Sequence, residues 1–471
     1  MMQRKQHKKL GFLVLVIIVY LSLPTFGNLP KRINRIINDP SQSKVAYGIH
    51  IIKANNSEII YSFYGDEPLI PASNMKIITT AAALEYLGAD YEFITKIVLS
   101  GDTLVVIGSG DPLFGYEQDL EEQNRKHGGI FSVITEKLNR FGYIRIKDII
   151  VDSNIFDDQR AHPNWPANDL NKWYACEVSG INYNGNCIEI TAENHNGNIR
   201  LMMEPSTGFI KMTNKVKPSS KSNTIGSLRT STENNIIVIG TCKNKIGPIK
   251  VAIERPAAFF GYLLAEKLGN AGIDIEGKLI EKKFTIEETV KPVFVHRTLL
   301  KDVLAHCNKD SFGLAAESLV KIIAAEKNPY GGNGSWKAGT VLISQYLLKA
   351  GVNKNEFNID DGSGLSRHNK LSANAITKVL LDVYQSNNWN VYKESLAVGG
   401  ADGTIAKYFK EEKYKERILG KTGYIRGVKS FSGICITDNE EYIFSILANN
   451  TNGGTRTAIN NIAKAIIDEY N

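Results

Sequence analysis

The sequence predicts an α/β (α+β) protein in which one domain is split by a large, strand-rich insertion. Helix and strand patterns alternate near both ends of the chain, whereas the middle shows mostly strand patterns. The length of 471 residues leaves room for about three domains. We therefore assign residues 31–95 and 291–471 to the split domain. Residues 96–290 form the insertion, which is large enough for one or two subdomains.

Two strands and one helix are predicted before the insertion. Apolar runs indicate strands at 45–52 and 59–64. In the segment 73–87, apolar residues recur at helical spacing, and Gly88 follows as a stop signal.

The remaining elements follow from the same patterns. In the insertion, apolar runs predict strands at 93–99, 103–107, 144–151, 187–191, 236–239 and 249–253. The polar stretch 215–226 contains Pro218 and several serines, so we expect an exposed loop. After residue 290, the patterns predict helices at 311–326, 336–350, 373–385 and 455–470, and paired strands at 427–436 and 442–447.

The net charge of +7 belongs to the N-terminal segment. Seven basic residues precede the first acidic residue, Asp39: Arg4, Lys5, Lys8, Lys9, Lys31, Arg32 and Arg35. The rest of the chain is therefore balanced, and its charge gives no support to nucleic-acid binding.

Residues 1–30 predict an export signal or a single membrane anchor. Four basic residues precede an uncharged, largely apolar stretch at 10–23. The apolar core is short for a membrane span, and Thr25-Phe26-Gly27 is only a passable cleavage site, so both readings stay open. Either reading predicts a periplasmic or other extracytoplasmic location, with membrane contact only through this segment.

The cysteines do not indicate a disulfide scaffold or a metal site. There are five, an odd and small number: Cys176, Cys187, Cys242, Cys307 and Cys435. Cys176 and Cys187 are close enough in sequence to bridge, although nothing requires it. The sequence has no C-x-x-C or H-E-x-x-H motif, and we expect neither a metal nor a cofactor.

The pattern Ser-x-x-Lys places a hydroxyl and an amine one helical turn apart, where a neutral lysine can deprotonate the serine. It occurs three times, at Ser41/Lys44, Ser73/Lys76 and Ser318/Lys321. Ser41 lies in a polar turn and Ser318 inside a predicted helix. Ser73 lies at a helix start, where free N–H groups can face a developing oxyanion. An ordinary N-cap serine is the alternative for Ser73.

A second motif favours a catalytic role for Ser73. Lys421-Thr422-Gly423 precedes the predicted terminal strand pair, and no other Lys-[Ser/Thr]-Gly occurs in the chain. A second cation would lower the pKa of Lys76 and bind a substrate carboxylate. The glycine would let a peptide lie against the strand edge.

The two motifs together resemble those of penicillin-binding proteins and serine β-lactamases. The longer pattern resembles the D-alanyl-D-alanine carboxypeptidase/endopeptidase family, the low-molecular-weight class C penicillin-binding proteins. The matching segments run from about residue 45 to the C-terminus: Pro71-Ala72-Ser73-Asn74-Met75-Lys76, Gly108-x-Gly110-Asp111-Pro112, Asp152-Ser153-x-x-Phe156, Trp165, Tyr174, Asp361-Gly362-Ser363-Gly364-Leu365-Ser366-Arg367-x-Asn369, Ala401-Asp402-Gly403-Thr404 and Lys421-Thr422-Gly423.

The resemblance implies a β-lactamase/transpeptidase-like catalytic domain and a set of roles. Ser73 would be acylated by the penultimate D-alanine of a peptidoglycan stem peptide, with Lys76 as general base. The N–H groups of Ser73 and Tyr424 would form the oxyanion hole. Lys421 and Thr422, with Gly423 beside them, would hold the terminal carboxylate. β-Lactams would trap the same serine.

The resemblance also implies that two further residues recognise a diaminopimelate side chain. Its far end carries an amine and a carboxylate, which Asp152 and Arg367 would complement. A structural ion pair or a solvated surface position is the alternative for both residues.

One departure from the family stands out. The middle motif Ser-x-Asn corresponds to Ser311-Phe312-Gly313, so glycine replaces the asparagine. Ser311 would still relay protons between Lys421 and the leaving group. Loss of an oriented hydrogen bond can lower the rate about a hundredfold. We expect Gly313→Asn to speed acylation if the glycine is a defect, and to change it little if the site has compensated.

Three functions are therefore compared. The first is an exported serine DD-peptidase acting as carboxypeptidase, cross-link endopeptidase or both. The second is a catalytically weak homologue that binds wall peptides or a cell-wall enzyme partner. The third is a β-lactamase, which the large insertion and the lack of an identifiable deacylating glutamate disfavour. The sequence is compatible with a homo-oligomer and does not determine the oligomeric state.

Overall fold

Strands from both ends of the chain form one sheet. The computed structural model describes residues 28–116, 129–285 and 289–471. The predicted signal or anchor at 1–30 lies almost wholly outside the described residues. No helix in the described ranges combines the length and apolarity that a membrane crossing needs.

The helices occur along the whole described chain. They are α1 Leu29–Ile37, α2 Met75–Leu87, α3 Gly129–Arg140, α4 Pro256–Asn270, α5 Leu300–Lys309, α6 Gly313–Lys327, α7 Trp336–Lys349, α8 Ala373–Tyr384, α9 Trp389–Ser395 and α10 Thr455–Tyr470.

The strands fall into two groups. Those of the split domain are β1 Ala46–Lys53, β2 Ile59–Phe63, β16 Phe357–Asn358, β17 Lys370–Leu371, β18 Ala397–Val398, β19 Ile418–Ile425, β20 Val428–Ile436 and β21 Glu441–Asn449. Those of the insertion are β3 Glu92–Ser100, β4 Thr103–Ile107, β5 Arg145–Ile146, β6 Ile149–Asp152, β7 Cys187–His195, β8 Asn198–Glu204, β9 Lys211–Pro218, β10 Thr224–Arg229, β11 Asn235–Cys242, β12 Lys245–Ala252, β13 Asp274–Ile275, β14 Leu279–Glu281 and β15 Lys291–Leu299.

The sheet of the split domain is buried on both faces. Its strand order is β18-β19-β20-β21-β1-β2, and β1 pairs antiparallel with β21. Because successive side chains of a strand point to opposite faces, Ile443 and Leu447 pack towards α2, α6 and α8. Phe444 and Ile446 pack towards α1 and α10. Each fully buried aliphatic side chain contributes about 1.5–3 kcal/mol, so the two layers of helices hold in place the sheet that includes β19.

The insertion has its own core. A five-stranded sheet of order β14-β6-β4-β3-β15 packs with α3 and α4, and two three-stranded sheets, β10-β11-β9 and β12-β7-β8, adjoin it. β3 and β15 pair along their whole length, from Glu92↔Leu299 to Lys291↔Leu99. The insertion sheet therefore extends a few residues beyond each end of 96–290.

Most predicted elements are confirmed, two predictions are wrong, and several elements were not predicted. The expected loop 215–226 consists mainly of β9 and β10, because the backbones of polar residues on this exposed sheet pair with β11. The expected single strand 144–151 is two strands, β5 and β6, in different sheets. The helices α1, α3, α4, α5 and α9 and several strands, β19 among them, were not predicted, although Pro256 at the first position of α4 is a typical helix-start signal.

The five cysteines are all free and buried: Cys176, Cys187, Cys242, Cys307 and Cys435. A bridge between Cys176 and Cys187 is therefore not formed.

Candidate active site

Ser73 and Lys76 lie together at the start of α2. Ser73 belongs to the 3₁₀ turn Ala72–Asn74 that leads into the helix, and Lys76 lies in the first helical turn. Lys76 Nζ is 3.4 Å from Ser73 Oγ and donates a hydrogen bond to the Ser363 carbonyl at 2.8 Å. Ser73 is partly exposed and Lys76 is buried. The hydroxyl is thus reachable from solvent, while the amine beneath it is shielded.

The start of α2 differs from the prediction in one respect. The α-helix begins at Met75, and Asn74 rather than Ser73 is its N-cap. Ala72 adopts a left-handed φ of 48°, a conformation that costs a non-glycine residue free energy. Ser73 is therefore held in a strained turn ahead of the helix, and its hydroxyl lies beside an amine, which does not fit the alternative of an ordinary N-cap serine.

The buried setting of Lys76 favours its neutral form. Burial lowers the pKa of Lys76, although the charges of Cys307, Glu317 and Asp361 act in the opposite direction. A neutral amine at hydrogen-bond range can accept the proton of a serine hydroxyl.

Lys421, Thr422 and Gly423 lie on β19, close to the Ser73 turn. The side chain of Lys421 is fully buried and donates to the Thr422 carbonyl at 2.8 Å. Thr422 Oγ1 donates to Thr404 Oγ1 at 2.9 Å. A Cβ on Gly423 would lie 3.0 Å from the Ser73 nitrogen and 2.9 Å from the Pro71 carbonyl oxygen. Glycine at 423 therefore lets the strand edge approach the backbone of the nucleophile turn.

Tyr424 follows on the same strand. It pairs with Lys429 of β20, and its side chain is 68% exposed. Its position on the edge beside Ser73 fits the backbone N–H role that the sequence predicts.

The two lysines interact electrostatically. Burial lowers the pKa of Lys421 well below its ordinary value, and the charge of Lys76 lowers it further. The sequence led us to expect the effect of this repulsion on Lys76. In the structure, burial is the main cause of the lowered pKa at both lysines. The mutual repulsion disfavours the state in which both amines are charged.

The middle motif lies under the insertion. Ser311 precedes α6 and has a left-handed φ of 61°. Phe312 stacks on Tyr116 with ring centroids 4.9 Å apart. A Cβ on Gly313 would lie 2.8 Å from the carbonyl oxygen of Tyr174, closer than side-chain carbons approach backbone atoms. The asparagine of the family motif has no room here unless the backbone around Tyr174 moves.

Arg367 and Asp152 occupy different surroundings. Arg367 is exposed, and its guanidinium donates to the carbonyl oxygen of Arg426 in the turn after β19. Asp152 is buried in the insertion, where its oxygens accept hydrogen bonds from Asn154 N and Phe284 N, each at 2.9 Å. Arg367 therefore lies near the strand edge beside Tyr424, whereas Asp152 is engaged with the backbone of its own domain.

The other two Ser-x-x-Lys pairs lie in different surroundings. Ser318 is fully buried inside α6. Lys321 Nζ contacts Asp157 Oδ1 and the Gln159 carbonyl, each at 2.7 Å. Ser41 Oγ donates to Asp39 at 2.6 Å in an exposed turn. Geometry thus separates Ser73 from both look-alikes.

Sequence reasoning missed three residues around this site. Glu317 and Asp361 are buried carboxylates below Lys76, and Arg456 donates to the carbonyls of Gly423 and Ser430 at 2.9 and 3.1 Å. A glutamate within the apolar first half of α6 is the one signal that could have indicated Glu317. Across residues 28–116, 129–285 and 289–471, no group of three His, Cys, Asp or Glu side chains could hold a metal ion.

Comparisons with known proteins find similar chains over nearly the whole length. A model of the D-Ala-D-Ala carboxypeptidase 3 (S13) family matches residues 29–469. The D-alanyl-D-alanine carboxypeptidase of Actinomadura sp. (strain R39) is 27% identical over 472 residues, which cover 94% of this chain and 85% of the relative. The D-alanyl-D-alanine carboxypeptidase DacB of Haemophilus influenzae is 24% identical, over 88% of this chain and 87% of that protein.

Solved structures share the fold. Penicillin binding protein 4 (dacB) of Haemophilus influenzae matches with a TM-score of 0.78 at 21% identity, over 94% of this chain and 99% of that chain. Bd3459, a predatory peptidoglycan endopeptidase from Bdellovibrio bacteriovorus, matches with a TM-score of 0.53 at 18% identity, over 91% and 94%. The fold class predicted from the sequence is confirmed.

Proposed function

The chain belongs to the D-Ala-D-Ala carboxypeptidase 3 (S13) family, and from this premise we propose that Ser73 is the nucleophile of its serine DD-peptidase reaction. The observation that carries the proposal is the 3.4 Å contact between Ser73 Oγ and the buried amine of Lys76. The substrate class is the D-Ala-D-Ala end of a peptidoglycan stem peptide, as the sequence predicts.

Acylation begins when the neutral Lys76 amine accepts the Ser73 proton. Ser73 Oγ bonds to the carbonyl carbon of the penultimate D-alanine, and the carbonyl oxygen becomes an oxyanion facing the N–H groups of Ser73 and Tyr424. The amide C–N bond then breaks, and the leaving amine takes a proton that Ser311 relays. Water later hydrolyses the ester and regenerates Ser73.

The terminal carboxylate of the substrate is assigned to Lys421 and Thr422. A carboxylate at this position would offset the repulsion between Lys421 and Lys76 and would favour the charged form of Lys421. Arg456 adds positive charge near Lys421. Substrate binding and the charge state of the two lysines are therefore linked.

Arg367 is our candidate for reading the side chain of the stem peptide. It is exposed and lies beside the turn that follows β19. Asp152 is the weaker candidate, because its oxygens already accept two backbone N–H groups. Exchange of Arg367 for glutamine should raise KM for peptides with a charged side chain more than for neutral ones.

The activity is tested with protein that begins at residue 28, because Leu29 is buried in the core and belongs to α1. Hydrolysis of a D-Ala-D-Ala peptide is measured as released D-alanine. Ser73→Ala should lower the rate by about 10⁴-fold or more, whereas Ser41→Ala, at the exposed look-alike, should leave it unchanged. An unchanged rate in Ser73→Ala would refute the assignment.

The second candidate function, a catalytically weak binder of wall peptides, rests on Gly313. Intact Ser73, Lys76, Ser311 and Lys421 count against it. Folded protein that labels with penicillin but releases no D-alanine would favour this second function.

We also propose an extracytoplasmic location, with binding of β-lactams at Ser73. The location rests on residues 1–30. The β-lactam proposal gains support from the Haemophilus protein, whose structure has been solved as a complex with a β-lactam. Fractionation of cells that produce the full chain tests the location.

A further inference from the structure

The amine of Lys76 contacts a backbone loop as well as Ser73. The loop, residues 361–364, lies between the short strands β16 and β17. Its Ser363 carbonyl accepts the 2.8 Å hydrogen bond from Lys76 Nζ. A Cβ on Gly364 would lie only 1.8 Å from the Ala72 carbonyl oxygen, so the loop also presses on the turn that carries Ser73.

Glu317 holds this loop from below. Its carboxylate accepts hydrogen bonds from Ser363 N at 2.8 Å and from Gly362 N at 3.0 Å. It also accepts from the indole N–H of Trp336 at 2.7 Å. One side chain of α6 therefore fixes two successive peptide N–H groups of the loop.

Asp361, the first residue of the loop, accepts further hydrogen bonds from the loop and its surroundings. Its carboxylate accepts from Gly364 N at 2.8 Å, and that N–H shares a peptide unit with the Ser363 carbonyl. It also accepts from Ser366 N at 2.6 Å and from the indole N–H of Trp165 at 2.9 Å. The carbonyl that contacts Lys76 is thus oriented by two buried carboxylates.

Keeping two carboxylates in the core is unfavourable for stability alone. Burial and the nearby charge of Asp361 raise the pKa of Glu317. Hydrogen bonds from the loop N–H groups and from the indoles of Trp336 and Trp165 offset this cost and hold the loop in one position.

We propose that Glu317 is a positioning residue that, through the Ser363 carbonyl, orients the Lys76 amine for proton transfer from Ser73. A neutral amine has two N–H groups and one lone pair. Donation of one hydrogen to Ser363 leaves the lone pair free to point at Ser73 Oγ, 3.4 Å away. If the loop shifts, the amine turns and the lone pair is no longer aimed at the hydroxyl.

This role of Glu317 rests on the proposed roles of Ser73 and Lys76, and it affects the acylation rate without affecting penicillin binding. β19 is not held by Glu317, so initial binding of a penicillin should be preserved when the loop moves. The acylation rate constant should fall, because a misplacement of about 1 Å can lower a rate about a hundredfold.

The test compares Glu317→Gln with wild type by stopped-flow acylation over a range of penicillin concentrations. The amide keeps one acceptor oxygen and replaces the other by an NH₂ group, so one of the two loop N–H groups loses its acceptor. We expect the limiting acylation rate constant to fall about tenfold to a hundredfold, with the apparent dissociation constant changed less than threefold. Rates are expressed per active site, counted by end-point labelling.

Glu356→Gln is the matched control. Glu356 is also buried, and it accepts from Ser372 Oγ at 2.5 Å and Asn374 Nδ2 at 3.0 Å, away from residues 361–364. It should lower thermal stability without lowering the rate per active site. If Glu317→Gln does not fold, Glu317→Asp keeps the charge but withdraws it from the loop, and it should show a smaller loss of the same kind.

A wild-type rate per active site in Glu317→Gln, or an equal loss in Glu356→Gln, would overturn the inference. These results are distinct from failure of the proposed function, which would appear as wild-type protein that is not acylated at Ser73.

Discussion

Introducing an asparagine at position 313 should slow the enzyme, although it completes the family motif. A Cβ at this position would lie 2.8 Å from the Tyr174 carbonyl oxygen, whereas ordinary contacts begin at 3.4 Å. The backbone of one side must therefore move by about 0.6 Å, and overpacking of this kind costs about 1–3 kcal/mol. Because Ser311 lies two residues away in a strained conformation, the displacement should reach the proposed proton relay.

We expect Gly313→Asn and Gly313→Ala to lower the acylation rate per active site about tenfold, since a 1 Å misplacement can cost about a hundredfold. The measurement is stopped-flow acylation by a fluorescent penicillin, with thermal unfolding in parallel. Gly269→Asn is the control, because a Cβ there meets nothing within 4 Å. Faster acylation by Gly313→Asn than by wild type would show that the glycine is a defect and would refute this reasoning.

Three further predictions concern other parts of the molecule. Burial lowers the pKa of Lys76, so its reactive neutral form persists to lower pH than that of an ordinary lysine. The acylation rate should therefore fall only below this lowered pKa. A rate that rises throughout the range up to pH 10.5 would contradict this prediction. Lys321→Ala removes the buried partner of an ion pair with the partly exposed Asp157 and should cost about 1.5–3 kcal/mol of unfolding free energy, measured by urea denaturation, while the remaining folded protein is acylated at the wild-type rate. Arg456→Met removes the guanidinium that donates to the Gly423 and Ser430 carbonyls. It should lower the free energy of unfolding by about 1–3 kcal/mol and raise KM for D-Ala-D-Ala peptides. An unchanged KM would show that Arg456 does not support β19.

Local chemistry made the nucleophile pair predictable. Pro71 and Ala72 before Ser73 mark an element start, and the spacing of Ser73 and Lys76 brings their side chains together within one turn. Lys421 was predictable because its motif stands directly before a strand pair. These inferences need only short-range geometry, although Lys421 lies on β19, a strand that the sequence patterns did not predict.

Long-range packing was not predictable in the same way. The contact between Gly313 and Tyr174 joins α6 to the insertion, so the local sequence around the glycine shows a missing side chain but not the carbonyl that fills its place. The same holds for Glu317, whose role depends on the loop at Gly362 and Ser363.

The loop prediction for the polar segment 215–226 was wrong for a different reason. Its lysines and serines are typical of a loop, but an exposed sheet tolerates them on its solvent side. Backbone pairing with β11 decides its structure, and no local preference of the side chains reveals that pairing.

The most direct measurement of the central claim is the site of covalent attachment by penicillin. Protein beginning at residue 28 is incubated with penicillin, and the adduct is located by intact-mass measurement and peptide mapping. We predict one adduct per chain, on Ser73, and none in Ser73→Ala. Folded protein that forms no adduct, or that carries it on Ser41, Ser311 or Ser318, would contradict the claim.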